Sequence, residues 1–185
     1  MANTISRSLH DLGLSAWFGG TLANAVALNT AAAEAPTPGG TGAVANAGWD
    51  RWAPVNAAAI GAHLVGSVGQ LVGNADRMKV QQGVASMAAV KTVVTAAALG
   101  VTAYSRMLGK KVSENHAVPA ESGTEPAATT PPEVAKAQKQ LDALQWVVPA
   151  LTGVLVVISA FAGEQERPEE VHSGIKARLA ARRSS

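Results

Sequence analysis

The sequence predicts an all-α fold: an integral membrane four-helix bundle, left-handed, with a basic amphipathic tail at its C-terminal end. Three observations point there. Of 185 residues, 48% are hydrophobic and 15% charged, against about 25% charged in an ordinary soluble domain. The charges gather in a few stretches and leave four long apolar runs. Inside those runs polar residues recur every seven positions, the period of helices that coil around one another with a left-handed hand.

The runs cover 12–33, 53–74, 82–104 and 143–163. Each has about 21 to 23 residues, enough at 1.5 Å per residue to cross a hydrocarbon core of roughly 30 Å. Lys91 is the only charged residue inside them. The fourth run, built around WVVPALTGVLVVISAFAG, carries the strongest signal. The other three use Ala, Gly, Thr and Asn where Leu and Ile would be usual, a composition that lets helix backbones approach closely. None has the broad charged face of a soluble amphipathic helix. Asp11, Glu34, Asp50, Arg51, Asp76, Arg77, Arg106 and Asp142 flank the runs. Trp49, Trp52 and Trp146 also stand at run ends, where aromatic rings favour the membrane–water boundary. Pro54 is expected in the first turn of the second helix, and Pro149, deeper in the fourth, predicts a kink.

The connections differ in kind. The opening MANTISRSLHD is polar and predicts no signal peptide. Residues 35–48, rich in Pro, Gly and Thr, predict a mobile loop, whereas 75–80 are few enough to make the second and third helices a hairpin. The stretch 109–132, rich in Pro, Glu and Thr, predicts a flexible loop without a core, followed by a short helix from Glu133. Residues 1–168 therefore read as one transmembrane domain and 169–185 as a tail. In the tail Val171, Ile175 and Leu179 share a face, with Lys176, Arg178, Arg182 and Arg183 on others, a pattern suited to an anionic lipid surface. Four spans place both termini on one side of the membrane, and the Lys/Arg distribution favours the cytoplasmic side for them. The abundance of alanine resembles that of high-GC bacterial proteins, which points to a bacterial plasma membrane.

The heptad stripes are His10, Trp17 and Asn24; Asn56, His63 and Gln70; Lys91, Ala98 and Ser105; Gln145, Thr152 and Ser159. Polar groups avoid lipid, so the stripes are expected to face inward and bond one another. Asn24, Asn56, His63, Gln70 and Lys91 form the candidate intramembrane polar cluster, with Asn24, His63 and Lys91 meeting at its centre. His63 lies about 15 Å from one end of its run and Lys91 about 13 Å from the other end of its own. A charged Lys near the bilayer centre costs at least about 2.5–3.5 kcal/mol. It would be neutral, face water, or hold an anion or a partner's carboxylate.

Much chemistry is missing from the sequence. There is no cysteine, no phosphate-binding glycine loop, no HExxH and no nucleophile elbow. The net charge of +2, with no basic run beside stacking aromatics, predicts no nucleic-acid partner. No cofactor is expected: a b-type haem needs two axial ligands at one depth, and His63 reads as central while His10 reads as lying at the membrane edge. The segment HDLGLSAWFGG, 10–20, resembles the opening helix of some small four-helix membrane families, including certain copper-resistance groups. That resemblance covers one helix and carries no function. The expected partners are the lipid bilayer and other membrane subunits or further copies of the chain. The expected function is a non-enzymatic accessory or interaction subunit of a membrane complex. A small transporter or channel using the seam around His63 and Lys91 is the alternative.

Overall fold

The computed structural model describes residues 2–114 and 118–183. It is 86% helical, and no strand occurs among the described residues. Helix α1 (Ala2–Ala23) continues without a break through a π turn (Asn24–Leu28), a further α turn (Asn29–Ala31) and a 3₁₀ turn (Ala32–Glu34). The helices that follow are α2 (Pro38–Gly73), α3 (Ala75–Val80), α4 (Val84–Ser113), α5 (Pro132–Glu164) and α6 (Pro168–Arg183). Three of them, α2, α4 and α5, are long and apolar enough to cross a membrane. They point to an integral membrane protein whose apolar faces meet lipid.

Helix α1 is not among those three. Its regular part begins with polar residues, and its apolar run straddles the π turn. The other helices overrun their predicted ends. Thr37 caps α2 by accepting from the Gly40 N–H at 3.1 Å, and Pro38 occupies the first turn, where its missing N–H is harmless. The predicted mobile loop 35–48 is therefore mostly helix, and Pro54 lies deep inside α2 rather than in its first turn. Helix α5 likewise fuses the short helix expected from Glu133 with the fourth apolar run, and Pro149 is held within it.

Packing follows the order α2, α1, α5, α4, while α2 and α4 barely touch. Leu14, Trp17, Ala98, Val148 and Leu155 form the central core. A second cluster, Val112, Val118, Val134 and Ala137, sits where the segment after α4 returns to α5. That segment was expected to lack a core, yet Val118, Ala120, Thr124, Ala127 and Thr130 are buried in it. The Ala120 N–H donates to Pro38 O at 3.0 Å and the Gly123 N–H to Asn29 O at 2.8 Å. Small side chains let these backbone contacts form: a Cβ on Gly123 would collide with Asn29, and one on Gly42 with Val118 O.

Candidate functional site

Glycines bring α1 and α2 together. Added Cβ atoms would strike Ala59 O and His63 N from Gly13, the Trp52 ring from Gly20, and His10 N and Ser6 O from Gly66. These contacts set an antiparallel register that places His10, not residue 22, level with His63. The apolar run of α1 is thereby displaced by about 12 residues, roughly 18 Å, from the register that matched run centres would give. His10 is thus not at a separate depth from His63. Their ring centroids are 4.5 Å apart, and Trp17 lies 6.0 Å from His63. His63 Nδ1 contacts His10 O at 3.4 Å and His10 Nδ1 contacts Asp11 Oδ1 at 2.6 Å. Each ring keeps a buried Nε2 without a hydrogen-bond partner among the described residues. The rings stand too close for a flat macrocycle to lie between them.

The gap between α2 and α4 opens as two clefts, one at each end, with Leu99 in the wall of both. The first, the tryptophan cleft, has a volume of about 360 Å³ and is lined by Trp49, Trp52, Ile60, Leu144 and Val148. Five side chains in its wall carry a buried polar atom with no partner among the described residues: Asn46 Nδ2, Trp52 Nε1, Asn56 Oδ1, Thr102 Oγ1 and Ser105 Oγ. Donors and acceptors are mixed there. Its charged wall residue, Arg106, is matched by Asp50 at 3.3 Å.

A bonded chain borders this cleft. Asn29 accepts from Trp49 Nε1 at 2.9 Å and donates to Gln145 Oε1 at 2.7 Å. Gln145 Nε2 donates to Asp142 at 2.9 Å and to Thr124 Oγ1 at 3.2 Å. The π turn explains how Asn29 gets there. In it the Asn29 N–H reaches back to Asn24 O, which widens the turn and changes which face of the helix the following residues occupy.

The second, the lysine cleft, has a volume of about 310 Å³. Leu64, Val68, Leu71 and Met87 supply its apolar wall, and Gln70, Arg77, Lys91 and Glu166 its polar one. Arg77 closes the end of the cleft. It donates to Gln165 O at 2.6 Å, to Asn74 Oδ1 at 3.0 Å and to Glu166 Oε1 at 3.2 Å. Glu166 also takes Arg7 Nη1 at 2.6 Å. One carboxylate thus serves two guanidinium groups.

The expected polar cluster is therefore distributed over several places. Asn24 is buried in the π turn, Asn56 lines the tryptophan cleft, and Gln70 and Lys91 line the lysine cleft. His63 is sealed against α1 and belongs to neither cleft. In the tail, the Gln82 N–H donates to Gly174 O at 3.3 Å, so α6 lies against the turn between α3 and α4. Lys176 is exposed and Arg178 half-buried, while the side chains of Arg182 and Arg183 lie outside the described residues. The Arg7–Glu166–Arg77 group was not legible in the sequence: its partners are 159 and 89 residues apart. The only local signal was charge at the ends of apolar runs.

Among the described residues no group of three metal-ligating side chains converges. No protein-family model, curated protein or solved structure matches this chain.

Proposed function

We propose that the protein is a non-enzymatic accessory or interaction subunit of a membrane complex. The observation that carries this reading is the outer side of α4. Ala85, Ala89, Ala96, Ala97 and Gly100 are all exposed there. A Cβ on Gly100 would meet nothing within 4 Å, and the same is true of Gly61 on α2. Small residues on an apolar helix let a second helix approach to backbone contact, which is how membrane helices associate when lipid and side chain are equally apolar.

In this reading α1 is a fourth membrane-embedded helix, carried by α2 and α5 rather than by its own hydropathy. Both termini then share the cytoplasmic side of a bacterial plasma membrane, where Lys176, Arg178, Arg182 and Arg183 meet anionic headgroups. The transporter alternative draws less support, because His63 lines neither cleft.

The experiment is a mild-detergent purification from native membranes with a photocrosslinker at Ala97, followed by mass spectrometry. A partner subunit should crosslink there in fixed proportion and be lost in Gly100→Leu while the variant stays folded. A chain that purifies without a partner and conducts ions in liposomes would overturn the reading in favour of a channel.

A further inference from the structure

We propose that the lysine cleft binds an anionic membrane lipid, with the phosphate held by Lys91 and Gln70 and the acyl chain lying along α2. This goes beyond the subunit reading and does not depend on it.

The charged residues in the wall of the cleft are Arg77, Lys91 and Glu166, with Arg7 and Asp11 adjoining them, while the neighbouring pairs Lys79–Asp76 and Arg167–Glu164 are matched within themselves. Glu166 is already shared by Arg7 and Arg77, and Asp11 stands 4.0 Å from Arg7. Among the described residues no carboxylate lies within ion-pair distance of the Lys91 amine. One positive charge is left over in the wall of the cleft.

The hydrogen-bonding pattern agrees. Gln70 Nε2 is a buried donor with no acceptor among the described residues, and it belongs to the same wall. A lysine amine has donors only. A ligand that suits both groups offers acceptor oxygens and negative charge, as a phosphate does.

Depth and shape select a lipid. Lys91 is seven residues into α4, about 10 Å from the helix start at 1.5 Å per residue. Its flexible stem can carry the amine from there toward the headgroup layer. The same cleft offers an apolar wall of Leu64, Val68, Leu71 and Leu99. Because α2 and α4 barely touch, a chain can enter sideways from the bilayer.

The test is native mass spectrometry of the full chain in mild detergent, titrated separately with phosphatidylglycerol, phosphatidylcholine and inorganic phosphate. Phosphatidylglycerol should be retained about tenfold more tightly than phosphatidylcholine, and inorganic phosphate should not displace it. Lys91→Met should reduce phosphatidylglycerol to the phosphatidylcholine level, Lys91→Arg should keep it, and Lys110→Met should change nothing. Val68→Trp, which fills the cleft and leaves the charge, should weaken both lipids. It decides the question should Lys91→Met fail to fold.

Equal retention of the two lipids, or undiminished phosphatidylglycerol in folded Lys91→Met or in Val68→Trp, would overturn the proposal. Displacement by inorganic phosphate would show that a free anion, not a lipid, is the ligand. A polypeptide crosslinked from Ala88 in native membranes, in place of lipid, would assign the amine to a partner's carboxylate instead.

Discussion

Leu99 stands in the wall of both clefts, and the chemistry changes across it. On the tryptophan side the unpartnered polar atoms are uncharged and mixed in sense, and Arg106 is balanced by Asp50. On the lysine side the buried unpartnered atom, Gln70 Nε2, is a donor, and the Lys91 amine has no carboxylate within ion-pair distance among the described residues. The two ends also close differently. The segment 118–131 folds over the first through Asn29 and Pro38, while the second is clamped by one guanidinium. A gap between α2 and α4 is thus one architectural feature, produced because α1 and α5 hold those helices apart. What each end can hold is set by which charges find partners nearby. Two lateral openings of similar size in one helical membrane protein thus differ in the groups they leave uncompensated.

Gly13→Leu should have the largest effect, because its side chain would collide with the α2 backbone at Ala59 and His63. Overpacking of this kind costs about 1–3 kcal/mol and occasionally more. Thermal unfolding in detergent should show it, with both clefts lost together. A variant of unchanged stability would mean that the α1–α2 seam is not what props the clefts open.

Asn29→Ala should separate the two ends. It removes bonds to Trp49 and Gln145 and strands their polar atoms, a loss of about 1–3 kcal/mol. Limited proteolysis should then cut within 118–131 faster than in the wild type, while lipid retention at the lysine cleft stays as it was. Coupled loss at both ends would contradict their independence.

Arg77→Gln should act at the opposite end. Losing its bonds to Gln165 O and Glu166 should cost roughly 1–2 kcal/mol and loosen α6 from the α3–α4 turn, seen as faster hydrogen exchange at Gln82. Equal exchange in variant and wild type would show that the clamp does not hold the tail. The smallest effect is expected from Arg106→Gln. Its ion pair with Asp50 is exposed, so the change should be under about 1 kcal/mol. A larger loss would show that the pair is shielded, in membrane or by an occupant of the tryptophan cleft.

Composition and run length by themselves determine that the chain is helical and that helices α2, α4 and α5 can cross a membrane. The cores of those helices coincide with the runs 53–74, 82–104 and 143–163, because twenty apolar residues in a row have few other options. The heptad stripes also picked out residues that matter inside the protein: His10, Trp17, His63, Ala98 and Thr152 are all buried. Local composition failed where a tertiary partner overrides it. Residues 38–48 are helical although rich in glycine, since Thr37 and Pro38 start a helix that Leu28 and Val118 then cover.

Only the tertiary structure decided the register of α1 on α2, and with it the pairing of His10 with His63. That register depends on where a missing Cβ lets one backbone touch another, a property of two distant glycines that no single window of sequence contains. The placement of Lys91 in the wall of a cleft that His63 does not line has the same origin. Periodicity places a residue on a face of its own helix, but which faces meet is settled by the closest backbone approach, and here that approach left α2 and α4 apart.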